Sequence, residues 1–124
     1  MHKNPDTNMT LEQLKDVLNA EILCGEDLLH LQIETVFSSD LMSDVLAFVR
    51  PASLLLTGLT NPQVVRTAEM SEVSLICFVC GKCPLEATIH LAKEKKIPLL
   101  VTDLSMYESC GLLFGKGLSG GYDS

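Results

Sequence analysis

The chain has 124 residues, 47% of them hydrophobic and 20% charged, and its 9 basic against 16 acidic side chains leave a formal net charge of −7. That length supports one compact domain, and the apolar fraction excludes intrinsic disorder. The acidic balance argues against a nucleic-acid partner, because such binding draws on clustered Lys and Arg, and the dense basic run Lys93, Lys95 and Lys96 reads as a solvated helix end.

The first eight residues, MHKNPDTN, contain no apolar segment of a signal peptide and are expected to form a disordered extension (1–8). No apolar stretch approaches the roughly 20 residues a bilayer requires, so no membrane association and a cytoplasmic location are expected. Thr10 and Gln13 form a capping-box pattern, with Leu11, Leu14 and Leu18 on one face of a helix running to about Asn19. AEILC reads as a short strand ending at Gly25. LQIETVFS alternates apolar and polar residues as a second extended segment, after which Asp40 is expected to cap a helix with the stripe Leu41, Met42, Val45, Leu46 and Val49.

Three continuous apolar runs follow, SLLLTG, VSLICFV and IPLLVTD, each leading into a helix-length segment. Continuous runs need cover on both faces, so Leu54–Thr57, Val73–Val79 and Leu99–Thr102 are expected as adjacent buried parallel strands. The helices between and after them are NPQVVRTAEM, PLEATIHLAKEKK and LSMYESCGLLF, the last capped by Ser105 or Asp103. The fold class is therefore α/β, a three-layer α/β/α domain with a mainly parallel central sheet, over residues 9–117. The Gly- and Ser-rich end, 118–124, is expected to be a flexible tail.

Ligands of open parallel sheets sit beyond the carboxyl ends of the strands. Three loops lie there: TGLTNPQ, with Thr57, Gly58, Thr60, Asn61 and Gln63 ahead of Arg66; CGKCP, with Gly81 and Lys82 before a helix start; and VTD, with Thr102, Asp103 and, one turn on, Tyr107. A small anionic ligand is expected where they converge, with Lys82 as the full positive charge, although turn chemistry alone also supplies Gly, Thr, Asn and Asp. The P-loop string G-x-x-x-x-G-K-[ST] is absent, since Ile76 and Cys83 stand at two of its positions.

C-x2-C-x2-C at Cys77, Cys80 and Cys83 begins like an iron–sulfur or zinc ligand run but lacks a fourth ligand at matching distance, and Cys77 lies inside a strand. No metal site and no cofactor are therefore expected, with Cys77, Cys80 and Cys83 as the alternative. Five cysteines, an odd number, fit a reducing compartment better than a disulfide framework. The three histidines read as surface or packing residues, and no catalytic triad or carboxylate pair is apparent.

The segments SDLMSDVLAF, LLTGLTNPQVVRTAEM, FVCGKCP, LAKEKKIPLLVTD and MYESCGLLF resemble the DRTGG domain, and the resemblance spans Met9 to Gly117. It is similar to short stand-alone bacterial members, although Leu59 and Thr60 stand where typical members have Asp-Arg, and Val79, Cys80 and Gly81 where they have Thr-Gly-Gly. The resemblance implies a fold similar to the N-terminal domain of HPr kinase, a homodimer, and a regulatory rather than enzymatic role beside partner domains. The expected function is a non-enzymatic, ligand-sensing module signalling to a partner protein. Its rivals are an interaction subunit for a hydrogenase-related or kinase-like partner, and a cysteine-based redox or iron–sulfur protein.

Overall fold

A computed structural model of the protein describes residues 7–123, so most of the expected N-terminal extension lies outside the described residues. A two-residue strand β1 (Met9–Thr10) runs into helix α1 (Leu11–Val17). The Thr10 hydroxyl accepts from Gln13 N at 3.2 Å while Gln13 Oε1 accepts from Thr10 N at 2.9 Å, the reciprocal pair the capping box predicts. β2 (Glu21–Cys24), a 3-10 turn (Glu26–Leu28) and β3 (Gln32–Ile33) follow, β3 pairing antiparallel with β1.

From β4 (Thr35–Ser38) the chain winds regularly through α2 (Met42–Phe48), β5 (Leu54–Thr57), α3 (Gln63–Met70), β6 (Leu75–Phe78), α4 (Glu86–Lys95) and β7 (Leu99–Val101). It closes with α5 (Met106–Gly115) and β8 (Ser119–Gly120). The six-stranded sheet has the order β2-β7-β6-β5-β4-β8, parallel throughout except for β2 at one edge. The fold is thus a three-layer α/β/α domain, with the three apolar runs as neighbouring strands and every residue of β5 and β6 buried.

Alternation along the strands sorts the core into two halves. Leu54, Leu56, Leu75, Cys77 and Leu100 pack with Leu11, Leu14, Leu18 and Leu113 under α1 and α5. Leu55, Ile76, Phe78 and Leu99 pack with Val45, Val64, Val65, Ala68 and Ala92 under α2, α3 and α4. Each such burial contributes about 2 kcal/mol, which is why a strand covered on both faces carries an unbroken apolar run.

Two expectations are corrected. Asp40 does not cap α2: the residue at that cap is Leu41, whose N–H donates to Ser39 Oγ at 3.0 Å, and the Asp40 carboxylate turns to the neighbouring strand. The predicted α2 stripe is only partly used, with Val45 fully buried while Leu41 and Leu46 stay exposed. The Gly- and Ser-rich end does not hang free either. β8 joins the edge of the sheet beside β4, Leu118 and Gly121 are buried, and the Tyr122 ring stacks on Phe48 at 4.8 Å and Phe37 at 6.2 Å. Small residues suit this edge because Gly121 passes so close to Ser53 that a Cβ there would lie 2.6 Å from its hydroxyl.

Candidate functional site at the carboxyl edge of the sheet

Because β4 to β7 are parallel, their carboxyl ends reach the same edge, and backbone hydrogen bonds tie the emerging loops together. Ser39 N donates to Leu56 O, Val79 N to Thr57 O and Thr102 N to Phe78 O, at 2.9–3.1 Å. The β6 loop then reverses sharply. Cys80 and Gly81 hold φ of +61° and +66°, Lys82 N closes the turn on Val79 O at 3.2 Å, and Gly81 N donates to Thr102 O at 2.8 Å. Glycine is required at 81 twice over: by that φ, and because a Cβ would stand 2.9 Å from Asp103 Oδ1.

This turn delivers Lys82 to the β5 loop. A Cβ on Gly58 would lie 3.5 Å from Lys82 Nζ and 3.6 Å from Asp40 Oδ2, so ammonium and carboxylate both rest against Gly58. Asp40 Oδ1 accepts from Gly58 N at 2.7 Å and from the Thr57 hydroxyl at 3.0 Å, while the same hydroxyl accepts from Leu59 N. One carboxylate therefore organises the start of the β5 loop, and its second oxygen stays beside Gly58.

The sequence-predicted residues divide. Gly58 and Lys82 meet, and Gly81 meets Thr102 and Asp103. Thr102 contributes backbone only, since it is buried and its hydroxyl donates to Leu18 O at 2.6 Å. Thr60 acts through its carbonyl, which accepts from Thr88 Oγ1 at 2.7 Å and Leu85 N at 3.3 Å and so ties the β5 loop to the start of α4. Asn61 spends its side-chain oxygen on Gln63 N at 3.0 Å. Gln63 and Arg66 lie along α3, with no hydrogen bond or ion pair from either side chain to this cluster among the described residues. Tyr107 is on a different surface, the groove beside α5. Thr57, expected in the β5 loop, does belong to the cluster, whereas sequence reasoning does not reach Asp40 or Lys15. The signal that finds Asp40 is the carboxyl-end rule extended to LQIETVFS, whose alternating pattern hides that it holds a parallel strand of the same sheet.

Two hollows flank this region. A shallow one of about 360 Å³ lies against the Gly81 turn, lined by Lys15, Asn19, Glu21, Cys83 and Asp103 among others. A larger one of about 690 Å³ runs along α5 and is mostly apolar. The cysteines do not gather. Cys77 is fully buried in β6, where burial pushes its thiol up to about 12, whereas Cys80 and Cys83 are exposed in the turn. Among the described residues no group of three His, Cys, Asp or Glu side chains is placed to hold a metal ion, and no helix is long and apolar enough to cross a membrane.

Fold and site together define a small α/β/α domain with one polar edge, built from loop backbone, one lysine and two aspartates. The DRTGG domain model matches residues 13–113, and the chain belongs to the DRTGG domain family. Among solved structures it is similar to the CBS and DRTGG domains of the regulatory region of Clostridium perfringens pyrophosphatase, complexed with its activator diadenosine tetraphosphate. The TM-score is 0.71 at 19% identity, over 88% of this chain and 47% of that one, so the chain spans about half that chain's length and the likeness is one of fold. No curated protein matches the chain.

Proposed function

We propose that this DRTGG domain is a non-catalytic, ligand-sensing regulatory module in the cytoplasm, working as a homodimer and signalling to a partner protein. Its ligand is a small nucleotide-like anion held at the carboxyl edge of the sheet. The observation that carries this reading is Lys82, brought over Gly58 by the Gly81 turn beside two aspartates. A phosphate pairs with the ammonium, while sugar hydroxyls donate to Asp40 Oδ2 and to the exposed Asp103, so a ligand carrying both groups suits the edge better than a bare anion. The two buried hydroxyls nearby, Thr57 and Thr102, are already committed to Asp40 and to Leu18 O. The likeness to a regulatory region that takes diadenosine tetraphosphate supports the same class of ligand.

Calorimetric titration with diadenosine tetraphosphate, ATP, AMP and orthophosphate tests it. At least one nucleotide should bind, and Lys82→Ala should weaken it about 10- to 100-fold, the worth of a charge-assisted hydrogen bond. Binding unchanged in Lys82→Ala removes this site. No binding by any of the four favours instead the interaction-subunit reading, which draws on the apolar hollow along α5. A redox role would draw on the exposed thiols Cys80 and Cys83.

A further inference from the structure

The turn that carries Lys82 is bounded by two cysteines. Cys80 and Cys83 are both exposed and stand three residues apart, whereas Cys24 and Cys77 are buried and Cys110 is half-buried. Burial raises the thiols of Cys24 and Cys77, so those two stay protonated and out of reach of reagents. Turn chemistry does not call for a cysteine at 80. Its φ is +61°, a left-handed conformation that favours Gly or Asn and is costly for other L side chains, so a cysteine kept there asks for a reason beyond the turn. The turn is also anchored unevenly. Cys80 N donates to Leu104 O and Gly81 N to Thr102 O, both at 2.8 Å, and Leu85 N donates to Thr60 O at 3.3 Å. Between these anchors residues 82–84 make one backbone hydrogen bond among the described residues, Lys82 N to Val79 O at 3.2 Å, and run on without turn or bend. Cys83 is therefore the end of the pair that can move.

We infer that Cys80 and Cys83 form a reversible disulfide with each other, and that closing it draws Lys82 away from Gly58. The bond itself is independent of any ligand; the movement of Lys82 is a regulation of the site proposed above and rests on that reading. A disulfide holds its two Cα atoms about 4.4–6.8 Å apart, and this one would close a ring around Gly81 and Lys82 alone. Gly81 is tied to Thr102 O, so bringing Cys83 back over it bends the chain at Lys82, where it now runs straight on. The direction in which Lys82 leaves the backbone changes with that bend, and its ammonium loses its place against Gly58. The chemistry is exchange with a low-molecular-mass disulfide such as glutathione disulfide. One cysteine thiolate attacks it, forming a mixed disulfide and releasing the first glutathione. The second cysteine thiolate then attacks the protein sulfur of that bond and releases the other. Two protein thiols are oxidised, one glutathione disulfide is reduced to two thiols, and the two protons pass to the leaving sulfurs. Such a pair suits a reducing compartment, where disulfides are transient and report redox state.

The full chain, equilibrated over a series of ratios of reduced to oxidised glutathione, trapped with iodoacetamide and read by mass spectrometry, tests the pair. Cys80 and Cys83 should lose reactivity together at one ratio, yield a peptide bridged within one chain, and recover with dithiothreitol. Cys80→Ser should instead accumulate glutathione on Cys83, and Cys83→Ser on Cys80; both sites are exposed, so both variants should fold. Protection of the two thiols independently of one another, or bridges only between chains, overturns the disulfide. Nuclear magnetic resonance reads the movement of Lys82 with no ligand present. The Gly58 amide signal should shift on oxidation of the wild type and stay in place in Cys83→Ser, and an unmoved signal overturns the displacement. Calorimetry with ATP and diadenosine tetraphosphate then compares the two states, and the oxidised wild type should bind about 10-fold or more weakly. A nucleotide that binds both states equally overturns the control of the site. If neither nucleotide binds either state, the ligand reading fails, while the disulfide and the Gly58 shift are decided by their own measurements.

Discussion

Asp40 accepts two hydrogen bonds on one oxygen, from Gly58 N and Thr57 Oγ1, and by doing so connects the ends of β4 and β5 at the carboxyl edge of the sheet. Thr102 does the corresponding work inward, fixing the β7 loop to the end of α1 through Leu18 O. Cys77 differs from both: its cause of perturbation is burial alone, which raises its thiol from 9.0 to about 12. The folded state therefore holds that proton more tightly than the unfolded chain. The resulting stability is present in full below about pH 9 and is lost as pH rises toward 12, a change on the order of a few kcal/mol. Melting temperature should fall more steeply from pH 9 to 12 in the wild type than in Cys77→Val, and parallel profiles would refute the burial argument. At neutral pH a thiol reagent should label Cys80 and Cys83 quickly and reach Cys77 only on unfolding.

At the scale of elements, helix ends are where short-range rules apply best. Ser105 caps α5 with the reciprocal Glu108 pair, as Thr10 caps α1 with Gln13. Helix α3 ends differently. Glu72 N donates to Glu69 O and Val73 N to Ala68 O, a Schellman arrangement in which Glu72 holds φ +57°, a position usually given to glycine. A carboxylate at this end also opposes the helix dipole. Glu72→Gly removes both penalties and should stabilise the protein by about 1 kcal/mol in urea unfolding. Lys96, at φ +58° after α4, should gain less on the same change, because its charge is favourable there. Equal gains at the two sites would show that the dipole contributes nothing.

For the molecule as a whole, the chain end completes the sheet. Gly121 N donates to Val36 O and Arg50 N to Gly121 O, both at 2.7 Å, and Thr35, Ser53 and Arg50 O form a hydrogen-bonded chain beneath. Neighbouring glycines separate packing from flexibility. Gly121→Ala drives a methyl into Ser53 and should destabilise by about 1–3 kcal/mol, whereas Gly120→Ala, with open space around it, should be nearly neutral. Hydrogen exchange at the Gly121 amide should quicken only in the first variant. Similar losses in both would mean that the end of the chain is held without close contact.

Local and periodic features are legible in the amino-acid sequence by itself: the capping boxes at Thr10 and Ser105, the doubly covered strands in LLLT and LICF, and the strand neighbours that short crossovers enforce. These depend on residues close in sequence, or on an environment so uniformly apolar that composition reports it. The loops at the carboxyl edge follow from the same topology, which is why Gly58, Gly81, Lys82 and Asp103 stand out in the sequence. The allegiance of Asp40 does not follow, because a carboxylate ahead of a helix looks the same whether it caps that helix or reaches Gly58 on the next strand. Nor does the docking of the tail, since Gly and Ser read as flexible until a neighbouring strand, Ser53 and the rings of Phe37 and Phe48 supply contacts. Side chains with long-range partners, and the face of α5 left open to solvent, are decided by tertiary structure, because which surface meets which is a property of assembled layers and not of any one segment.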